Sequence, residues 1–286
     1  MRLLLLFSLL ISALPSPLHA EAIVDTRSGR RLAIADLLDL ARQADFVLLG
    51  EVHDNPRHHQ LRAEFLARLA PDRVVVEHLE QGHEARWGTS SDSGRSVLEA
   101  LNQAGFDSTG WQWPTHAPLF EGLARAGIPA TGGNIGRDLA RRLVREGLPA
   151  LPPPLAAPLS RAPLNADAQA ALDADLLDSH CGQLPASRVP GMRLAQRARD
   201  AAMATTLLAV PGRPAVLLAG NGHLRSDYGV PALLGELRPG ARILSVGFIE
   251  EDRPDTGDKL YTHVWRTPPA PRGDPCAALK AGKPKT

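Results

Sequence analysis

The chain has 286 residues, 44% of them apolar, which is enough to bury a sizeable core as one large domain, or two at most. Its 32 basic and 31 acidic residues leave a formal net charge of +1. A nearly neutral chain without a basic stripe argues against nucleic acid as a partner.

The N-terminus has the pattern of a secretory signal peptide over residues 1–20. Arg2 is the charged start, Leu3–Leu14 is the apolar segment, and Leu18-His19-Ala20 is a suitable cleavage site. The apolar run is too short to span a bilayer, and no cysteine follows the cleavage site for lipid attachment. We therefore expect a soluble, exported protein.

The first strongly patterned segment is a strand, a helix and a second strand. Phe46–Leu49 is an apolar run typical of a strand buried on both faces, Asn55-Pro56 is typical of a helix start, and Arg73–Val76 is a second strand. Polar residues follow each strand: Glu51, His53, Asp54, Glu77 and His78. Because ligands bind at the carboxyl ends of strands in such sheets, we expect a site at this edge.

The middle of the chain contains a tryptophan-rich loop and a third strand. Trp111 and Trp113 either pack on the core beneath that loop or form a wall for a flat aromatic ligand. Ile128–Thr131 is predicted to be the strand, and Gly132-Gly133-Asn134 the tight turn after it.

Residues of about 138–210 lack strand patterns and are predicted to form a helical insertion, or lid, over the sheet. Within it, residues 149–158 read as a proline-rich connector, and residues 165–180 and 191–209 as helices. Such a subdomain is where a larger ligand finds its contacts.

A further buried strand, Ala215–Ala219, ends in Gly220 and is followed by His223. This repeats the Gly-x-x-His pattern of Gly50–His53. If the two strands are parallel neighbours, His53 and His223 converge, with Glu51 and Glu77 beside them. Two histidines with one or two carboxylates suit a divalent metal ion. The alternative is that these side chains only hydrogen-bond across strand ends and hold loops in place.

Cys181 and Cys276 are the two cysteines. In an oxidising compartment such a pair forms a disulfide more readily than a metal site, although two free thiols remain the alternative. A bridge would fasten the tail, residues 267–286, whose Pro, Gly and Lys content otherwise predicts flexibility.

Several blocks in order, among them LLGEVHDNPRHHQ, VVVEHL, GWQWPTHAPLFEGLARAGIPATGGN, SHCGQLP and LLAGNGHLRSDYGVP, resemble the ChaN-like family of haem-binding proteins. That family is grouped with the Tiki, TraB and erythromycin-esterase-like proteins. The resemblance implies an α/β domain over residues 21–266, with a central, mostly parallel sheet flanked by helices and a helical lid. It also implies binding of ferric b-type haem at the bacterial cell envelope, in the periplasm, for haem-iron acquisition.

ChaN-type proteins are thought to bind haem through a tyrosine, with stacked haems between two subunits. The resemblance therefore implies a homodimer and, as a further partner, an outer-membrane haem receptor or a haem transport system. Tyr228 and Tyr261 are the two tyrosines, and Tyr228 is favoured because it lies in the GNGHLRSDYGVP block. The other implied contacts are Arg225, which would help the phenol ionise, His180 and His116 as second contacts, Trp111 and Trp113, and Arg193, Arg197 and Arg199 for the propionates.

The same superfamily contains metal-dependent proteases built on two Gly-x-x-His motifs and a glutamate. By that analogy Glu51, His53, Glu77 and His223 would bind a divalent metal ion, and a carboxylate would activate its water. A metal-dependent hydrolase is therefore the alternative function.

Overall fold

The computed structural model describes residues 21–87, 96–251, 259–274 and 276–277. The predicted signal peptide, residues 1–20, and most of the predicted tail beyond residue 274 lie outside this range. In the described part of the chain, no helix is both long and apolar enough to cross a bilayer.

One mixed sheet organises the domain, with the strand order β2-β1-β9-β8-β3-β7-β4-β6-β5. The strands from β9 to β6 run parallel to their neighbours, and antiparallel pairs finish both sides. The strands are β1 Ala22–Asp25, β2 Arg31–Leu32, β3 Phe46–Leu49, β4 Val74–Glu80, β5 Glu84–Ala85, β6 Ala130–Asn134, β7 Ala215–Leu218, β8 Ile243–Glu250 and β9 His263–Thr267.

Helices cover both faces of this sheet. They are α1 Ile34–Gln43, α2 Pro56–Leu69, α3 Val97–Gln103, α4 Ala117–Arg125, α5 Arg137–Glu146, α6 Pro153–Arg161, α7 Ala166–Ser179, α8 Val189–Ala209 and α9 Val230–Leu237, with short 3₁₀ turns at Leu148–Ala150, Ala186–Arg188 and Asn221–Leu224. The predicted α/β class is confirmed.

Alternation along β3 divides the core into two layers. Val47 and Leu49 pack with α1, α2 and α4 on one face, whereas Phe46 and Leu48 pack with α8 and α9 on the other. Every β3 side chain is therefore buried, which explains the continuous apolar run.

The two Gly-x-x-His segments meet because β3 and β7 are parallel neighbours, with Leu49 opposite Leu218. β4 lies on the other side of β7. The carboxyl ends of these three strands form one edge, as predicted.

Two strand boundaries were predicted wrongly. β4 continues to Glu80, so Glu77 and His78 lie within the strand and not after it. Gly132 and Gly133 belong to β6 and not to a turn. A side chain at Gly132 would overlap the carbonyl oxygen of Glu80, so glycine is required by the close approach of two backbones.

The helical insertion differs from a simple lid in two ways. The predicted proline-rich connector contains α6, whose first turn accommodates Pro153 and Pro154. α8 packs directly on the sheet through Met203 and Leu207, so it is a core helix, and α7 is the part that covers the sheet edge.

Of the two alternatives for the cysteines, the disulfide is the one present, between Cys181, just after α7, and Cys276. Two contacts before the disulfide also fix the C-terminal segment to the domain. β9 extends to Thr267, one residue past the predicted domain end, and Arg272 pairs with the buried Glu250. The described part of the predicted flexible tail is therefore fixed to the domain.

Candidate functional site

A cavity of about 790 Å³ lies at the carboxyl ends of β3, β4 and β7, within the size range of small-molecule sites. α7 forms its outer wall through Leu172 and Leu176, and Tyr228 and Tyr261 line it from the C-terminal part of the chain. The four residues of the paired motifs, Glu51, His53, Glu77 and His223, all line it.

His223 is held between two carboxylates. Its Nδ1 lies 2.6 Å from Asp200 Oδ1 on α8, and its Nε2 lies 3.4 Å from Glu77 Oε1. Burial opposes the charged ring, but the two carboxylates outweigh it and raise the pKa of His223 to about 10. Glu77 also accepts a hydrogen bond from Gly220 N at 2.7 Å. At neutral pH His223 is therefore an imidazolium, the cation of a buried ion-pair triad.

Glu51 occupies the centre of a second group. Its Oε2 pairs with the guanidinium of Arg62 and lies 3.3 Å from His59 Nδ1. Its Oε1 faces three further imidazoles: His53 Nδ1 at 2.5 Å, His78 Nε2 at 3.5 Å and His116 Nε2 at 3.5 Å. One carboxylate thus contacts an arginine and four histidines, here called the Glu51 cluster.

Most of this cluster is out of water. The side chains of Glu51, Arg62 and His78 have no exposed surface, whereas His53 is 46% exposed and opens onto the cavity. Burial lowers the pKa of Arg62 to about 9, which still leaves the guanidinium charged at neutral pH. The cluster is therefore a buried ion pair surrounded by imidazoles.

Two of the imidazoles have unused hydrogen-bonding atoms. Neither ring nitrogen of His78 or His116 has a hydrogen-bond partner among the described residues. Burial lowers the pKa of both rings well below the usual histidine value. Each unpaired buried polar atom costs about 1–3 kcal/mol. The two Nε2 atoms both face Glu51 Oε1, where they are available to a ligand.

The family model described as haem-binding uptake, Tiki superfamily, ChaN, matches residues 37–234. The chain belongs to the ChaN family. Among solved structures, one described as cofacial haem binding to ChaN of Campylobacter jejuni has a TM-score of 0.69 at 17% identity and covers 86% of this chain and 96% of that chain. That likeness confirms the fold.

Two further structures have lower similarity. Erythromycin esterase EreC in its open conformation has a TM-score of 0.40 at 14% identity, covering 92% of this chain and 86% of that one. A toxin effector domain from Vibrio vulnificus has a TM-score of 0.36 at 17% identity, covering 71% of this chain and 34% of that one. The search of curated proteins finds no match.

The tyrosine that the ChaN resemblance favours is buried in the cavity wall. Tyr228 donates a hydrogen bond from its hydroxyl to Asp175 Oδ2 at 2.5 Å, and Arg225 lies over its ring at 4.5 Å. Burial and the Asp175 carboxylate raise the pKa of the phenol, and the charge of Arg225 opposes them without prevailing. Arg225 therefore favours the phenolate, in the expected direction, but burial and Asp175 have the larger effect on the phenol.

His180, one of the predicted haem contacts, points elsewhere, and so does His58 at the start of α2. His180 follows α7, and its Nδ1 lies 2.7 Å from the carbonyl oxygen of Leu176. It does not line the cavity. His58 bonds Val52 N and Thr267 Oγ1, which fastens β9 to the start of α2. These rings are structural here.

Trp111 and Trp113 pack against the core beneath their loop. Trp111 also contacts the Glu51 cluster, with ring centroids 4.4 Å from His78 and 5.2 Å from His53. Neither tryptophan lines the cavity. The packing interpretation accounts for Trp113, and Trp111 covers the imidazoles.

The arginines of α8 are committed to other contacts. Arg193 pairs with Asp173, Arg197 donates to two backbone carbonyls, and Arg199 donates to Asn134 Oδ1. Arg199 lines a separate groove of about 480 Å³ that is rich in arginine. Among the described lining residues of the main cavity, Arg225 is the only arginine or lysine.

Sequence reasoning missed Asp175, Asp200 and Arg62 as site residues, and it cited His78 only by position. Asp175 and Asp200 come from the insertion, 53 residues from Tyr228 and 23 residues from His223, and no local spacing reveals them. Arg62 follows His59 by three residues on α2, which places both on one helix face and is the one local signal available.

Proposed function

We propose that this protein binds ferric haem in the 790 Å³ cavity, with Tyr228 as the iron ligand, and serves haem-iron acquisition at the bacterial cell envelope. The observation that carries the proposal is a buried tyrosine in the wall of a large cavity in a member of a haem-binding family. Ferric iron is a Lewis acid that favours a phenolate ligand.

The residues around Tyr228 fit this role. Asp175 holds the hydroxyl proton, and Arg225, which also pairs with Asp175, lies over the ring, where its positive charge favours a phenolate. Loss of the hydroxyl proton would accompany ligation. The cavity wall supplies apolar contacts from Leu172, Leu176 and Ile249.

Export to the periplasm is part of the proposal. The disulfide between Cys181 and Cys276 supports it, because such bridges persist in oxidising compartments. A homodimer with stacked haems, and delivery through a receptor or transport system, are the corresponding proposals for its partners.

A ferric-haem titration followed at the Soret band tests the proposal. We expect saturable binding with a tyrosinate-type spectrum that is lost in Tyr228→Phe, which keeps the ring but removes the ligand atom. Tyr261→Phe is the matched control, because Tyr261 lines the same cavity and its hydroxyl donates to Asn221 O. Absence of saturable binding at micromolar haem would contradict the proposal.

The second candidate is a metal-dependent hydrolase, favoured by the convergence of both Gly-x-x-His motifs on one cavity. Glu77 and Asp200 raise the pKa of His223 and favour its charged form, which suits the stabilisation of developing negative charge. Ester or peptide hydrolysis that is abolished by chelator and by His223→Ala would support this function, and activity indifferent to both would exclude it.

A further inference from the structure

The Glu51 cluster has features that haem binding in the cavity does not explain. His78 and His116 do not line the cavity, yet their ring nitrogens are buried without partners beside Glu51 Oε1. One donor atom from each of Glu51, His53 and His116 lies within 4.8 Å of the other two.

Two of the distances to Glu51 Oε1 are close to those between ligand atoms in a metal site. In a tetrahedral site with bonds of about 2.0–2.1 Å, neighbouring ligand atoms lie about 3.3 Å apart. The Nε2 atoms of His78 and His116 are each 3.5 Å from Glu51 Oε1. His53 Nδ1 is closer to Glu51 Oε1, at 2.5 Å, and the two atoms form a hydrogen bond.

The surroundings orient the carboxylate toward the imidazoles. Arg62 contacts Glu51 Oε2 and donates to His59 Nδ1 at 2.8 Å, while His59 Nε2 donates to the carbonyl oxygen of His53 at 2.9 Å. These contacts fix one side of Glu51 and the backbone of His53. Such outer contacts are what hold the ligands of metal sites in place.

The site also has an entrance. His53 is 46% exposed and lines the cavity, whereas the other imidazoles are buried behind it. A metal ion can therefore reach Glu51 from the cavity and keep a position open to water on that side.

We propose that Glu51, His53 and His116 bind one divalent transition-metal ion, of the Zn²⁺ or Fe²⁺ class that prefers imidazole with carboxylate, with His78 as a neighbouring imidazole beside Glu51 Oε1. This site shares Glu51 and His53 with the one predicted from the paired motifs but uses His116 in place of His223 and Glu77, which form an ion pair with each other. The inference does not rest on haem binding.

Titration of chelator-treated protein, free of any histidine tag, with Co²⁺ and then Zn²⁺ tests the proposal. We expect one equivalent of Co²⁺ with the visible absorption of a low-coordinate nitrogen and oxygen site, displaced by one equivalent of Zn²⁺. His116→Gln and His78→Gln should each weaken binding by at least about tenfold, since even outer contacts of metal sites have effects of that size.

His263→Gln is the matched control, because His263 is a buried histidine in β9 outside the cluster, and its metal affinity should be unchanged. If His116→Gln does not fold, His53→Gln tests the same ligand set with a half-exposed side chain. Absence of stoichiometric binding would overturn the proposal. Binding that survives both His116→Gln and His78→Gln but is lost in His223→Gln would also overturn it and assign the metal to the paired motifs.

Discussion

Among single residues, Glu51 has the most demanding position, because it is fully buried and its neutralising cation, Arg62, is equally buried. An ion pair of this kind contributes little net stability, but removing one partner leaves an uncompensated charge. Replacing Glu51 or Arg62 alone should therefore lower the stability of the fold more than replacing both with uncharged residues.

Arg62→Met should lower the free energy of unfolding by about 3–5 kcal/mol, because Glu51 would remain buried without its cation. Urea unfolding measures the loss. Glu51→Gln combined with Arg62→Met should recover part of it, and a double variant as unstable as the sum of the single ones would refute the coupling. Arg42→Met, which removes an exposed arginine, is the control.

Asp175→Asn should make Tyr228 a better haem ligand. The Asp175 carboxylate raises the pKa of the phenol, so its loss should lower that pKa and shift tyrosinate–haem formation to lower pH. The Soret spectrum across a pH series measures the shift. Asp178→Asn, in the same cavity wall, is the control and should leave the pH midpoint of tyrosinate–haem formation unchanged. A shift of that midpoint to higher pH in Asp175→Asn would count against Tyr228 as the ligand.

Among the secondary-structure elements, the contact of β4 with β6 shows how close packing sets the site. Gly132 in β6 lies against the backbone of β4 near Glu80. The pairing of β4 with β6 is irregular between Val76 and Glu80, the segment that contains Glu77 and His78. The position has no room for a side chain.

Gly132→Ala should destabilise the protein by about 1–3 kcal/mol or more, because the added methyl group would overlap Glu80 O. Gly235→Ala is the matched control: it lies in α9 with open space around it, and alanine should stabilise that helix by about 0.5–1 kcal/mol. Thermal unfolding distinguishes the two, and equal effects would show that the close approach is unimportant.

Sequence patterns predicted those elements whose burial is uniform. β3 and β7 were clear because every side chain is apolar, and the repeated Gly-x-x-His then implied their shared edge. The end of β4 was missed because Glu77 and His78 are polar but are buried within the strand by contacts from distant segments, which no local pattern encodes. For the same reason, the roles of Asp175 and Asp200 emerge only from the tertiary structure.

In the molecule as a whole, the C-terminal segment is fastened to the start of α2. Glu250 accepts hydrogen bonds from Asn55 Nδ2 at 2.7 Å and Ala270 N at 2.9 Å, and it pairs with Arg272. Burial works against the charge, but these donors prevail and lower the pKa of Glu250 to about 2.

This network predicts an acid-dependent stability. Because the folded pKa lies below the unfolded value of about 4.3, ionised Glu250 stabilises the fold above that pH, and the contribution disappears as pH falls toward 2. Glu250→Gln should cost about 1–3 kcal/mol at pH 7, and the gap from the natural protein should narrow between about pH 4 and 2. A constant gap measured by denaturant unfolding would contradict this assignment.

Cys181 and Cys276 are 95 positions apart, and the disulfide between them closes the intervening chain into one covalent ring. A protease that cuts once inside this ring opens it without releasing a fragment, so the product migrates as one species on a gel until a reductant is added. β7, β8 and β9, together with His223 and Tyr228, all belong to the ring. The part of the cavity contributed by the C-terminal half thus stays attached to α7 after a single cleavage.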